Sequence, residues 1–521
     1  MNTLQNITEE VAAEGEGTTA TVFLFTLITF LAVKLFLNHR GSKPLPPGPW
    51  GNYFPLFGYL PFLGGPQPPY VTLSQIADKY GRIFRIKLGN KTMVLISDPK
   101  LLRDVFKRDD VTDRPHNPLN DGLMDGYGIS SAEGQLWKSQ RQFAHMCLRD
   151  VGFLKSSAEN KARFEANASR AIDALLQELS ETNGKAVDLE RMLSFTVANI
   201  FFTIVISKTF DQYDPELMKE LDGIQDSFKI IESINLANFI PIFCYFPQFS
   251  RVIETVLGRR EATRNFFRNI IQQHRETLDV NSPRDIIDAF LIRMDKDKEE
   301  NVESYFSEIQ LLSVLGDLFS AGTETTKTTL RWLFLAITRQ PDIQKKVRQE
   351  LDDVIGRNRL PVLNDRIHLP YMEAVIQETL RTSSIVAMGN PHCPVKDVTI
   401  DGYLVPKGAM VTGLLWKFHR DPNVWPYPDE FNPENFLNID KVKASQFLMP
   451  FSIGRRICLG EDVARNEIFL IAASMLQKFN FEPEMSMDGT EVPLPTLDQT
   501  RGGFLRSPMS YKIRAIPRFH F

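Results

Sequence analysis

Phe451-Ser452-Ile453-Gly454-Arg455-Arg456-Ile457-Cys458-Leu459-Gly460 sets one cysteine in a loop bracketed by two glycines, directly ahead of a long apolar run. Such a loop presents a lone thiolate to a metal. Glycines at 454 and 460 let the backbone turn tightly and approach a flat ligand, because no Cβ stands in the way. Arg456, two residues before the sulfur, can reach a carboxylate by charge-assisted hydrogen bonds. Five fixed residue types at these offsets arise by chance in about one chain of this length in ten thousand. The other cysteines, Cys147, Cys244 and Cys393, have no such neighbours and read as small buried hydrophobes.

The pattern Phe-x-x-Gly-x-Arg-x-Cys-x-Gly resembles the haem-ligand signature of the cytochrome P-450 monooxygenases. The resemblance implies that Cys458 is the axial ligand to the iron of haem b (iron protoporphyrin IX), bedded on Phe451, Gly454 and Gly460. A thiolate there pushes electron density onto iron and favours cleavage of an O–O bond. The family reaction inserts one atom of O2 into an apolar molecule and reduces the other to water. Electrons would come from NADPH through a separate NADPH-cytochrome P-450 reductase, with cytochrome b5 as a further candidate donor, since the chain has no glycine-rich nucleotide fingerprint.

The 521 residues carry a net charge of −4 and no repeat or low-complexity linker, so one large catalytic domain behind an anchor is the economical organisation. That charge balance offers no surface for nucleic acid. Four cysteines without paired spacing fit a reducing compartment, and neither a disulfide framework nor a zinc site. The 38 phenylalanines supply a large apolar interior.

Thr18 to Leu37 is almost uncharged and predicts a transmembrane anchor over 18–37, about twenty apolar residues being needed to span a bilayer. Lys34 lies close enough to its end to snorkel. Lys34, Arg40 and Lys43 follow the apolar run and no basic residue precedes it. The positive-inside rule then leaves a lumenal 1–17 tail and a cytoplasmic catalytic domain, and the resemblance to microsomal family members implies the endoplasmic reticulum membrane. A cleavable signal peptide would want a basic leader, whereas Glu9, Glu10, Glu14 and Glu16 make this one acidic. The segment 38–51 contains Leu45-Pro46-Pro47-Gly48-Pro49, a stiff hinge that stops the helix and leaves 52–521 as the catalytic domain.

Within that domain Phe84, Ile86 and Leu88 alternate with Arg85 and Lys87, Gly89-Asn90 makes a two-residue turn, and Met93 to Ile96 resumes a strand, a β-hairpin. Beyond about residue 130 the pattern is mostly helical. Ile343, Val347, Leu351 and Ile355 recur every fourth residue between Pro341 and Gly356. Short strands return at 398–400 and 403–405. The expected class is mainly α with a small segregated β-sheet region, as in the resembling family. Leu236 to Phe249 is an apolar, proline-broken stretch, read either as a segment buried under a loop or, by resemblance, as one that dips into the membrane.

Leu311 to Phe319 runs into Ser320-Ala321-Gly322-Thr323-Glu324-Thr325-Thr326, where small and hydroxyl residues weaken a helix ladder and admit water. Reduction of dioxygen consumes protons, and a carboxylate beside a hydroxyl can relay them. Ala-Gly-x-Glu-Thr-Thr resembles the oxygen-binding helix of the family, which makes Thr325 the distal hydroxyl, Glu324 the acid, and Ala321 a residue over the haem face. Glu324-Thr325 also argues against a haem-thiolate isomerase or dehydratase acting on peroxides, and against a non-catalytic haem sensor.

Glu378 and Arg381, three apart on a predicted helix, can pair; by resemblance they form a buried lock behind the haem loop. Its usual third member is basic, but Phe431-Asn432-Pro433-Glu434-Asn435-Phe436 places Asn435 there, which adds no charge. A second departure is Ala387, where the family often has proline. Trp137 and Arg141 match the family's Trp-x-x-x-Arg, and with His392 and Arg456 they are the implied clamp on the two haem propionates. Lys138, Arg149 and Arg455 form a candidate basic face for an electron donor. The implied pocket residues are Ile129, Ala321, Val386, Met388 and Phe504, an apolar set suited to a steroid, terpenoid, fatty acid or xenobiotic.

Overall fold

A computed structural model describes residues 43–117, 121, 125–150, 158–233, 235–437, 439–502 and 505–519. The expected anchor at 18–37, the tail before it and Phe504 lie outside the described residues. Among those described, no helix is long and apolar enough to cross a membrane.

The strands are β1 (Ile83–Leu88), β2 (Lys91–Ile96), β3 (Ala186–Val187), β4 (Val398–Ile400), β5 (Tyr403–Val405), β6 (Met410–Gly413), β7 (Phe479–Pro483), β8 (Thr500–Arg501), β9 (Ser507–Pro508) and β10 (Ile513–Pro517). The expected hairpin forms, β1 and β2 pairing antiparallel from Ile83↔Ile96 to Leu88↔Lys91. Gly89 takes φ +57° at the turn, which costs glycine nothing sterically. β6 adds to β2 in parallel, β4 and β5 pair where the alternation placed them, and β3, β10 and β7 make a separate sheet.

The longer helices are α1 (Pro69–Tyr80), α2 (Pro99–Phe106), α3 (Gly134–Asp150), α4 (Ala158–Glu181), α5 (Leu189–Val205), α6 (Pro215–Ser233), α7 (Pro247–Glu276), α8 (Ile286–Glu299), α9 (Glu308–Arg339), α10 (Pro341–Val354), α11 (Pro370–Ser383) and α12 (Glu461–Lys478). The architecture is therefore mainly helical with small separate sheets. α10 keeps its expected bounds, Pro341 opening it and Gly356 closing it at φ +78°.

α9 is the axis of the molecule. Its 32 residues extend about 48 Å, start where the Ser307 side chain accepts the Gln310 amide, and pack against α5, α7, α11 and α12. It is buried on all sides from Thr326 to Thr338, polar side chains included. Phe319 meets Phe202 at 4.8 Å and Phe267 at 5.9 Å between ring centroids, and each such ring contributes about 1.5–3 kcal/mol by leaving water. α12 is likewise enclosed from Glu467 to Gln477. α9, and the loop that leads into α12, bring Ala321, Gly322, Thr325 and Cys458 to the same cavity.

The stretch 236–249 is partly buried, Ala237 and Phe249 packing together. A short helix (Asn235–Phe239) and a 3-10 turn (Pro241–Tyr245) precede α7, and Ile242, Tyr245 and Phe246 face outward.

Candidate functional site

A cavity of about 1250 Å3 separates α9 from the 451–460 loop. The loop is shaped by its glycines unequally. Gly454 has φ +79°, and a Cβ there would stand 2.1 Å from the Phe106 carbonyl oxygen of α2, so no other residue fits. Gly460 has an ordinary φ of −95° and caps α12; a Cβ there would touch nothing in the protein. The Cys458 amide donates to the Phe451 carbonyl at 2.9 Å, which turns the side chain into the cavity, while the Arg465 guanidinium covers the Phe451 ring. Cys458 is exposed to the cavity yet deep in the fold. Burial pushes its thiol up, and the Gly460 amide and Arg141 pull against that shift.

Three arginines gather at one edge of this cavity. Arg456 donates to the carbonyls of Thr112 (2.8 Å), Ile129 (3.0 Å) and Ala132 (2.6 Å) and lies 4.0 Å over the Trp137 ring. Arg141, one turn beyond Trp137 on α3, donates to the Ile457 carbonyl at 2.6 Å. Arg114 donates to the Ser130 and Pro391 carbonyls. Among the described residues no carboxylate pairs with any of these guanidinium groups. Burial, helped by mutual repulsion, pushes Arg456 down to about 8 and Arg114 to about 10. The indole Nε1–H of Trp137 is buried without an acceptor. Unpaired buried cations and an orphaned donor call for anionic oxygens. Haem fits this donor set, with its two propionates for the arginine edge and its iron for the thiol.

His392, expected in the propionate clamp, is not among the residues lining the cavity. It stacks flat on Phe106 at 3.7 Å and donates Nδ1–H to the Val111 carbonyl. Burial, with Arg114 beside it, pushes its pKa well below its ordinary value.

On the opposite wall Ala321 faces the cavity and Thr325 Oγ1 donates to its carbonyl at 2.7 Å. Thr323 and Ser320 bond back one turn in the same way, and the cluster sits inside a continuous helix rather than at a break. Glu324 is turned away from the cavity, with Oε2 2.6 Å from Lys327 Nζ; consecutive helical residues do not share a face. Ile129, Val386 and Met388 line the cavity as expected.

Sequence reading missed four residues in or behind the cavity wall. Arg114 is one. Asp317, eight residues before Thr325 on the same face of α9, accepts the amides of Ile129 (2.7 Å) and Ser130 (2.8 Å), and burial raises it to about 6. Gln310 holds the preceding peptide, accepting Gly128 N–H and donating to its carbonyl. Glu467 of α12 accepts the Thr326 hydroxyl, and burial pushes it to about 8. Helical spacing from Thr325 could have found Asp317; nothing local marks the other three.

Behind the loop, Glu378 and Arg381 pair through two contacts of 2.7 Å, both fully buried. Arg381 also donates to the carbonyls of His419, Pro428, Tyr427 and Glu430. Glu378 accepts the Asn432 amide and Asn435 Nδ2. Asn435 thus fills the third place as a neutral donor.

The cytochrome P450 family model matches residues 46–514. Cytochrome P450 18a1 of Drosophila melanogaster is 35% identical over 497 residues, covering 94% of this chain and 90% of the fly protein. Cytochrome P450 2J3 of Rattus norvegicus is 35% identical over 95% of this chain and 96% of its own, and cytochrome P450 2B4 of Oryctolagus cuniculus is 33% identical over 95% and 99%. With these likenesses along nearly the whole chain and a cavity whose donor set fits haem b, this chain belongs to the cytochrome P450 family, the haem-thiolate monooxygenases that use O2 and NADPH-derived electrons.

Proposed function

We propose that the protein is a membrane-anchored monooxygenase of the endoplasmic reticulum that inserts oxygen into a largely apolar, lipid-like molecule and takes electrons from a separate NADPH-dependent flavoprotein reductase. The observation that carries this reading is the Cys458 thiol facing a large cavity whose edge holds three unpaired arginines and the orphaned Trp137 indole. Cys458 would ligate haem iron, and Arg114, Arg141, Arg456 and Trp137 would hold the propionates. Haem, when bound, supplies the electron transfer and O2 activation that no side chain here can perform. Ile129, Ala321, Val386 and Met388 bind and orient the substrate by excluding water. Thr325 offers a hydroxyl proton at the cavity wall, and Glu324 supplies protons to it from the far side of α9.

Membrane attachment is supported by the 18–37 segment and by two exposed apolar clusters. Trp50, Tyr53 and Leu56 form one, at 72%, 77% and 80% exposure, and Ile242 and Tyr245 the other, at 65% and 87%. Both abut the β1–β2 turn, where the Gly89 amide donates to Phe57 and the Asn90 amide to Phe239. Aromatic residues grouped this way suit a bilayer interface. Exposed Lys138, Arg149 and Arg455 support docking of an acidic reductase face.

The test is the carbon monoxide difference spectrum of the dithionite-reduced protein. A strongly red-shifted Soret band that disappears in Cys458→Ala is the expected result. A band at the shorter wavelength of histidine-ligated haem, or one retained in the variant, removes Cys458 as ligand.

A further inference from the structure

The cavity has two ends of different chemistry. Around Thr325 its wall is apolar, formed by Ile129, Ala321, Val386 and Met388. At the other end α6 and α7 turn polar side chains into it. Glu220 of α6 and Thr263 of α7 both line the cavity, and the Thr263 hydroxyl donates to Glu220 Oε2 at 2.7 Å. Glu220 is only 8% exposed, yet among the described residues that hydroxyl is its one hydrogen-bond partner and no cation pairs with it. The cations nearby are already matched. Arg259 meets Asp226 at 3.1 Å, and Arg260 and Arg264 share Asp125 at 2.6 and 3.4 Å. Asp125 closely precedes the Gly128 peptide that Gln310 holds, which sets this polar wall beside the first turns of α9. Ser313 of α9, also in the wall, donates its hydroxyl proton to the Ile309 carbonyl and leaves its oxygen open as an acceptor. From Ser313 to Thr325 is about 18 Å of helix.

We infer that Glu220, oriented by Thr263, is a specificity-determining residue that binds a hydroxyl group of the substrate, and that the substrate is an uncharged lipid hydroxylated at one end and oxygenated towards the other. This rests on the reading of the protein as a monooxygenase of lipid-like molecules. Three kinds of head group compete for such a wall. A carboxylate would find Arg259, Arg260 and Arg264 already paired and the Glu220 carboxyl repelling it. A cation would pair with Glu220 only while that carboxyl is ionised, and burial pushes its pKa up, against the pull of Thr263 and Lys219. A hydroxyl donates to the carboxylate and accepts from the acid, so it is held in either state, and it carries no charge out of water. Glu220 and Ser313 offer it an acceptor each, while the apolar end of the cavity takes the rest of the molecule up to Thr325.

The experiment uses the full-length holoenzyme and four probes with one apolar body: tetradecane-1,2-diol, its dimethyl ether, tetradecanoate and tetradecyltrimethylammonium. Dissociation constants come from titration calorimetry, and the carbon that gains oxygen is identified after turnover with NADPH and a flavoprotein reductase. A hydrogen bond to a buried carboxyl changes affinity by roughly 10- to 100-fold. The diol is therefore expected to bind at least about tenfold more tightly than the ether, and to be oxygenated towards its methyl end. Glu220→Leu is expected to bring that ratio to near one, to keep the carbon monoxide spectrum, and to scatter oxygenation along the chain. Glu220→Gln, a neutral acceptor of the same shape, should lower the ratio by less, and decides the matter should Glu220→Leu not fold. A purely structural role for the pair would weaken all four probes together, and a ratio unmoved in the variants overturns the inference. Tightest binding of the carboxylate or of the ammonium overturns it too. Oxygenation that proceeds with no diol preference overturns the hydroxyl site and leaves monooxygenation standing. A Glu220-dependent diol preference without any oxygenated product instead overturns the monooxygenase reading.

Discussion

Replacing Asn435 by alanine tests the neutral third member of the Glu378–Arg381 lock. Asn435 is fully buried and makes three hydrogen bonds: Nδ2 to Glu378 Oε1 at 3.1 Å, Nδ2 to the Tyr427 carbonyl at 3.0 Å, and Oδ1 from the Tyr427 amide at 3.0 Å. The bond to the carboxylate contributes about 1.5–3 kcal/mol and each neutral one about 0.5–1.5 kcal/mol. Water can reach part of the Tyr427 backbone, so a total near 3 kcal/mol is expected. Glu378 keeps Arg381 and the Asn432 amide, so the buried charge is not stranded and the variant should still fold. With an unfolding entropy of about 2 cal/mol/K per residue, 3 kcal/mol corresponds to a fall of about 3 °C in a domain of this size. The assay is loss of the carbon monoxide-bound Soret band on heating at a fixed scan rate. Asn435→Asp should fall further, because a second carboxylate would then stand about 3.1 Å from Glu378. An Ala variant within 1 °C of wild type, or an Asp variant more stable than Ala, would refute the assignment of Asn435 as a working donor in the lock.

Gly454→Ala forces a Cβ against the Phe106 carbonyl at 2.1 Å and a left-handed φ of +79°; loss of most bound haem, measured by the pyridine haemochrome assay, is the expected result, and full occupancy would show that the loop can shift. His274, between α7 and α8, bonds the Ile270 carbonyl and Asp285 through its two ring nitrogens. Burial pushes its pKa down, but Asp285 and the Ile270 carbonyl outweigh that and leave it raised. Its contribution to stability is therefore fully present below the unfolded value of about 6.5 and lost as pH rises through the raised folded value. The melting-temperature gap between wild type and His274→Gln should narrow from about pH 6 to about pH 9; a constant or widening gap would contradict this.

The parts of the fold that were legible are those whose partners are close in sequence. β1 and β2 meet across two residues, and β4 and β5 across Asp401-Gly402, so alternation and turn chemistry place them. β3, β7 and β10 were missed because their partners are distant, Ala186 pairing with Arg514 and Phe479 with Pro517, and the two residues of β3 carry no period. The same division runs through the site. Cys458, Gly454 and Arg456 are read from one decapeptide. Arg114 acts on the backbone at Ser130 and Pro391, which no local spacing encodes, whereas Asp317 lies at helical spacing from Thr325. Glu324 was found by its neighbours, but adjacency to Thr325 said nothing of direction, and Lys327 turned it the other way. His392 was placed in the clamp by its neighbours in sequence, and its stacking on Phe106 and bond to the Val111 carbonyl could not be read from them.

The seat of the arginine edge is made of peptide groups. Asp317 and Gln310 hold the amides of residues 128–130, and the carbonyls of Ile129, Ser130 and Ala132 hold Arg456 and Arg114. Every strut in that scaffold survives a change of side chain at 129, 130 or 132. Ile129 nevertheless lines the substrate cavity. Selection for a new substrate can thus rewrite this wall freely, proline excepted because it removes the amide, while the prosthetic group stays seated. Diversity of specificity and constancy of chemistry are carried by the same few residues, one through their side chains and the other through their backbone.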